Sequence, residues 1–253
     1  MEYIDKFNSK ERFSDRVDNY VKYRPTYPAA LIDFLQQRAG LTSDTAIADV
    51  GSGSGILTEL FLERGFTVYA VEPNAKMREA AEKHLGEYPH FTSVNGTGEA
   101  TGLPDQSVHL ITVAQAFHWM DPVKTRKEFD RILQPGGHMA ILWNLRTLDS
   151  DFDKGYEEVK AQFGKDYHEI RKAHEPELTE FMKPQGLEIY YFRHQQQLDL
   201  EGLKGQVLSS SYMPKEGEER YEEMMKALTA LFEVNQRDGE VTVTYDTKLY
   251  INK

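Results

Sequence analysis

The run Ala46 to Gly55 carries an acid and three glycines on alternate positions, Asp49, Gly51, Gly53 and Gly55, and a second acid, Glu72, ends the next apolar run, Thr67-Val68-Tyr69-Ala70-Val71. A short β-prone run that breaks into alternating glycines and then enters a helical pattern reads as the first strand, loop and helix of a nucleotide-binding α/β domain. Glycines at the tip let the backbone approach a ligand closely, and a carboxylate at the next strand end can accept from both hydroxyls of a ribose. The chemistry implied is the holding of an adenosine-containing cofactor.

Spacing narrows the choice of cofactor. A dinucleotide fingerprint starting at Gly51 requires glycine at position 56, which is Ile56. The pattern is instead Asp-x-Gly-x-Gly-x-Gly, and Asp49 would repel a pyrophosphate. A cofactor with a cationic amino-acid tail, S-adenosylmethionine (SAM), suits an acidic strand end better. A nicotinamide-dependent oxidoreductase is therefore the weaker alternative. A SAM-binding regulatory protein without turnover is an alternative of another class, because binding motifs alone do not distinguish it from an enzyme.

Asp49 to Gly55, Glu72-Pro73-Asn74, the segment Gly96 to Trp119 and Leu133-Gln134-Pro135-Gly136-Gly137 together resemble successive motifs of class I SAM-dependent methyltransferases, over about half the chain. The segment Tyr20 to Pro28 and Gln115-Ala116-Phe117-His118-Trp119 are similar to the methyltransferase type 11 group, in the small-molecule branch that includes trans-aconitate methyltransferase-like proteins. The resemblance implies that Asp49, Gly51, Ser52, Gly53, Glu72, Pro73 and Met77 surround the methionine and ribose parts of the cofactor. It places Thr97, Gly98 and Glu99 by the adenine, Gln115 and Ala116 by the ammonium, and Tyr20 and Arg24 in a lid. It further implies that Tyr23, His118, Trp119, Trp143, Arg146 and Tyr212 border the acceptor. Two positions depart from the family pattern, Thr97 and His109, where aspartate is frequent. S-adenosylhomocysteine would be the product.

Methyl transfer from a sulfonium is an in-line displacement whose leaving group is already activated by charge, so positioning is the main task. A carboxylate acceptor needs no general base. An amine, phenol or carbon nucleophile does, and His118 is the catalytic candidate at a suitable strand end. No metal-ligand constellation such as His-x-x-x-His occurs, so no metal is expected.

These residues need a frame to hold them. Periodicity predicts helices over Ala29–Arg38, Ile56–Arg64, Ala75–Leu85 and Val123–Leu133, and strands over Ala46–Val50, Thr67–Val71, Phe91–Val94, Val108–Val113 and Met139–Trp143, the last after a Pro135-Gly136-Gly137 turn. Strands alternating with helices make an α/β, doubly wound, mostly parallel sheet. Beyond Asn144 the pattern shifts to helices over Asp151–Phe163, Tyr167–Ala173, Leu200–Ser211 and Arg220–Asn235, with an apolar segment Leu187–Phe192 and a last strand Val241–Ile251. The resemblance implies seven strands, the final one antiparallel, in a Rossmann-like fold whose C-terminal helices cap the pocket. The expectation is one domain over 1–253, with a core of about 29–146 and a cap of about 147–253.

Composition bounds the partners. The chain has 253 residues, 30 Lys and Arg against 41 Asp and Glu, a formal charge of -11 and no cysteine. With no basic stripe it is ill suited to nucleic acid, whose binding depends on clustered Lys and Arg, while a small acidic substrate needs only one or two local cations. The absence of cysteine removes disulfides and thiolate chemistry and suggests a cytoplasmic protein. Neither a signal peptide nor a membrane span is evident in the sequence.

Overall fold

The computed structural model describes residues 22–165, 167 and 175–253. Tyr20, one of the expected lid residues, and most of the expected helix Tyr167–Ala173 lie outside them.

A seven-stranded sheet organises the chain in the order β3-β2-β1-β4-β5-β7-β6. Its strands are β1 (Ala46–Val50), β2 (Thr67–Val71), β3 (Phe91–Val94), β4 (Val108–Ala114), β5 (Leu133–Arg146), β6 (Glu188–Leu198) and β7 (Val241–Ile251). The first five pair in parallel, and β7 runs antiparallel to both β5 and β6. Strand order reverses between β1 and β4, which opens a crevice at their carboxyl ends.

Around the sheet lie α1 (Ala29–Arg38), α2 (Ile56–Leu62), α3 (Ala75–Leu85), α4 (Pro122–Ile132), α5 (Asp151–Phe163), α6 (Glu175–Met182), α7 (Leu200–Leu208) and α8 (Tyr221–Asn235). The apolar stripe of α1, with Leu31, Ile32 and Leu35 fully buried, packs with Phe61 and Leu85 on one face of the sheet. Phe129 and Ile132 of α4 join Phe181 and Met182 of α6 on the other. A third cluster, built from Phe152 and Tyr156 of α5, Leu203 of α7, and Met224 and Leu228 of α8, closes over the end of β7 at Val243 and Tyr245. The capping helices thus have a core of their own.

Local chemistry fixes the helix starts nearest the site. Asn74 caps α3 by accepting from the Met77 amide at 3.1 Å, and Asp121 caps α4 ahead of Pro122. Ser150 and Asp153 form a reciprocal capping box at the start of α5.

The structure corrects one boundary. The Pro135-Gly136-Gly137 stretch does not precede β5 but lies inside it. Val108 pairs with Leu133 and Leu110 with His138, so three extra residues on β5 loop out between two consecutive pairings. Gly136, at φ 79°, accommodates the irregularity, and a Cβ on Gly137 would sit 2.8 Å from the His109 carbonyl. The apolar segment around Leu187–Phe192 is likewise the start of a longer edge strand, β6.

Candidate functional site

The loop after β1 is a nest of left-handed glycines, with φ of 71° at Gly51, 58° at Gly53 and 88° at Gly55. The Gly51 and Ser52 amides donate to the Val71 carbonyl at 2.8 and 3.2 Å, tying the loop to the end of β2. A Cβ on Gly51 would lie 2.5 Å from that of Ala116, so glycine is needed there for contact with the loop after β4 as well as for its φ.

Two buried carboxylates organise this loop. Asp49 is 1% exposed and accepts from the hydroxyls of Thr58 at 2.7 Å and Thr112 at 2.9 Å. Burial pushes its carboxyl up to about 6, and those hydroxyls pull in the opposite direction. Asp49 therefore sits beneath the loop, anchored to α2 and β4. Glu72 accepts from the Gly53 amide at 2.9 Å on one oxygen and the Asn74 amide at 2.8 Å on the other. Burial raises its carboxyl too. Each Glu72 oxygen retains acceptor capacity for one more donor.

The other expected cofactor residues follow β2, β3 and β4 along the chain. The Pro73 carbonyl is held by Arg78 at 3.0 Å, and Met77 is buried in the first turn of α3. Thr97 and Ala100 exchange backbone hydrogen bonds around Gly98, and a Cβ on Gly98 would lie 2.6 Å from Met120 Sδ. The Glu99 carboxylate accepts from the Asp121 amide at 2.8 Å, tying this turn to the start of α4. Gln115 takes a left-handed φ of 59° at the end of β4, a strain worth about 1–3 kcal/mol for a residue other than glycine, and its amide donates to the Leu142 carbonyl at 2.9 Å. Ser52 Oγ is buried without a hydrogen-bond partner among the described residues. An orphaned hydroxyl, a glycine nest and a half-used carboxylate fit a hydroxyl-rich, cationic ligand.

Beyond Gln115 lies a cavity of about 190 Å³. Among the described residues, the charged groups that line it are Arg24, Arg146 and Lys160. Arg24, on the segment before α1, donates to the Ser209 carbonyl at 3.0 Å. Arg146, at the end of β5, meets Glu157 and the Tyr167 hydroxyl, both at 3.1 Å. Lys160 reaches Ser210 Oγ at 3.1 Å from α5.

Of the expected acceptor residues, Arg146 and Tyr212 line this cavity, and Arg24, expected to close over the cofactor, lines it as well. Tyr23, His118, Trp119 and Trp143 do not. The Tyr23 ring packs against Gly205, and its carbonyl accepts from Gln196 and Gln206 at 3.2 and 3.4 Å. Trp143 stands edge-on to Tyr250 within the core, their centres 5.9 Å apart. His118 and Trp119 occupy a single turn of 3-10 helix after β4, their ring centres 4.5 Å apart and both half-buried. Lys160, Tyr167, Gln206 and Tyr245 also line it without having been anticipated. One signal for Lys160 is in the sequence, because it falls on the apolar stripe Phe152, Tyr156, Phe163 of α5.

Residues 48–141 match the methyltransferase domain family. An uncharacterised methyltransferase of Mycobacterium tuberculosis is 38% identical over 134 residues, 53% of this chain and 52% of that protein. One from Schizosaccharomyces pombe is 30% identical over 135 residues, 53% of each. The chain thus spans about half the length of the curated relatives it matches. Among solved structures, a candidate type II methyltransferase from Anaeromyxobacter dehalogenans superposes with a TM-score of 0.67 at 21% identity, covering 91% of this chain and 98% of that one. A candidate methyltransferase of an antibiotic biosynthesis pathway from Anabaena variabilis gives 0.65 at 19%, covering 92% and 99%. These likenesses carry the fold, and the family match carries the motifs. Residues 48–141 thus match a methyltransferase domain, and the chain shares the fold of these methyltransferase structures.

Proposed function

We propose that the chain transfers the methyl group of SAM to a small carboxylic acid by in-line displacement. The observation that carries this reading is the cavity itself. In a chain of formal charge -11, the charged groups that line this space among the described residues are all basic side chains, Arg24, Arg146 and Lys160. At about 190 Å³ it is smaller than the pockets of about 300–1,000 Å³ that suit drug-sized ligands.

Glu72 would hold the ribose hydroxyls and the Gly51–Gly53 loop the methionine portion. Bound SAM would supply an electrophilic methyl on a sulfonium. Gln115, which belongs to both the crevice and the cavity, marks their junction. Arg24 and Arg146 are placed to orient a carboxylate, Arg24 with its fork and Arg146 with the donors that Glu157 and Tyr167 leave available. A carboxylate oxygen carries no proton to remove, so this reaction asks nothing of His118. The cap excludes water from the acceptor, and the proteins's contribution to rate is alignment at roughly 3–3.5 Å between reacting atoms. Structures of geranyl diphosphate C-methyltransferase, solved with S-adenosylhomocysteine or sinefungin, share the fold and support the cofactor assignment.

The test is incubation with methyl-labelled SAM and a panel of small carboxylic acids, phenols and amines. Label recovered in alkali-labile esters of the acids is the expected result. Transfer confined to phenols or amines would overturn the carboxylate reading, and tight SAM binding without transfer to any class would favour a regulatory protein.

A further inference from the structure

Lys160 is 2% exposed, and among the described residues it forms no ion pair with a carboxylate. Glu157, three residues before it on the same helix, is engaged by Arg146 and the Tyr167 hydroxyl. A buried ammonium without a counter-charge is costly, and burial pulls Lys160 down to about 7, with Arg146 and Arg24 acting in the same direction. What surrounds Lys160 is aromatic and hydroxylic. Its Nζ lies 5.3 Å from the Tyr156 ring centre and 5.4 Å from that of Tyr212, and it donates to Ser210 Oγ at 3.1 Å.

Tyr212 is the acid within reach. Among the described residues, the groups that face it are Lys160 and Tyr156 from α5, Arg146 from β5, Arg24 from the segment before α1, Tyr245 from β7, and Ser210 and Tyr167 beside it. The ring is held in place, since a Cβ on Gly164 would come within 2.9 Å of its Cδ2.

We propose that Tyr212 is the acceptor site's own counter-ion, a phenolate against Lys160 while the cavity is empty and a neutral phenol once a carboxylate occupies it. The inference rests on the acid-acceptor reading and makes Tyr212 the residue that tells an acid from its methyl ester. Burial opposes ionisation of this phenol, but Lys160 and Arg146 outweigh it and bring Tyr212 down to about 7. An incoming carboxylate repels the phenolate, so Tyr212 takes a proton from solvent and can then donate to the acceptor. In the transfer itself the carboxylate oxygen forms a bond to the methyl carbon, the carbon–sulfur bond breaks, and its electron pair stays on sulfur. Sulfonium and carboxylate charges vanish together. The cations then face a neutral ester, Tyr212 returns its proton to solvent, and the restored phenolate competes with the ester for the cavity.

The test uses the full chain and follows phenolate absorbance across neutral pH, with malonate as the anion and its dimethyl ester as control. One tyrosine of the 14 should ionise near neutrality in the wild type, vanish from the titration in Tyr212→Phe, and move upward in Lys160→Met. Malonate should quench that absorbance and take up about one proton per site, and the dimethyl ester should do neither. A wild type with no tyrosine ionising near neutrality, or one whose phenolate signal ignores malonate, overturns the proposal. Calorimetry with S-adenosylhomocysteine on the same samples separates the two readings: cofactor binding with an unresponsive Tyr212 sinks this inference alone, and a responsive Tyr212 without cofactor binding sinks the methyltransferase assignment.

Discussion

Glu72 offers the sharpest test of the cofactor crevice, because the structure shows how its carboxylate is divided. Each oxygen accepts one backbone amide, Gly53 at 2.9 Å and Asn74 at 2.8 Å, which leaves one acceptor position on each for the two ribose hydroxyls. Glu72→Gln keeps the shape and one oxygen but turns the other into a donor, so at least one hydroxyl loses a charged partner. Hydrogen bonds to charged groups are worth about 1.5–3 kcal/mol, which predicts SAM and S-adenosylhomocysteine binding weaker by about ten- to 150-fold. Glu72→Ala would also orphan both amides and unsettle the glycine loop, so the Gln variant isolates binding better. Glu72→Gln leaves one of the two amides facing an NH2 group, at a cost of about 1–3 kcal/mol, which relief of the buried charge partly offsets. The assay is isothermal calorimetry with S-adenosylhomocysteine, with urea unfolding alongside. Wild-type affinity in a stably folded Glu72→Gln protein would refute the ribose assignment.

Asp49, held up to about 6 by burial against an ordinary value of about 4, binds more protons in the native than in the unfolded state between those values, so it should make stability fall as pH rises through that window, by up to about 3 kcal/mol. Asp49→Asn should remove that slope, and parallel wild-type and variant stability curves measured by chemical unfolding would contradict it. Arg24→Lys keeps the charge but loses the fork, and should raise KM for the acceptor roughly tenfold while leaving SAM affinity unchanged; lost SAM affinity with unchanged KM in steady-state kinetics and calorimetry would assign Arg24 to the cofactor. Binding to nonspecific RNA or DNA should be negligible at physiological salt, given the excess of acidic residues, and tight, steeply salt-dependent binding by fluorescence anisotropy would overturn the small-molecule reading.

Much of the cofactor half can be read from the sequence because its signals are local. Apolar runs bounded by glycines delimit β2 and β3 to the residue, and the stripe Leu31, Phe34, Leu35 with its Gly40 stop does the same for α1. The turn signal Pro135-Gly136-Gly137 misleads for a physical reason: glycine and proline also serve bulges inside strands, and only the pairing with β4 reveals which. The acceptor cavity is less legible still. Arg24, Arg146, Lys160, Tyr212 and Tyr245 come from five separate segments, and each alone looks like a surface or packing residue. Trp143 drew notice at a strand end and Tyr23 in the segment before the first helix, yet packing turned one toward Tyr250 and the other onto α7.

The position of β7 between β5 and β6 sets a timetable for biosynthesis. Arg146 and Tyr245 are partners in the β5–β7 register, but at a synthesis rate of about 5–20 residues per second they emerge roughly 5–20 s apart. Throughout that interval a nascent chain whose first five strands have assembled presents β5 as an open sheet edge, with Ala140, Ile141 and Leu142, all buried in the finished protein, in its middle. Strand β6 emerges in the meantime and cannot dock, since its ladder is with β7. Cofactor binding to the glycine loop could stabilise that half-built sheet early, whereas the acceptor cavity must wait for Tyr245. A bare apolar edge is a template for pairing with other chains, which makes the interval the period in which this protein is most exposed to aggregation.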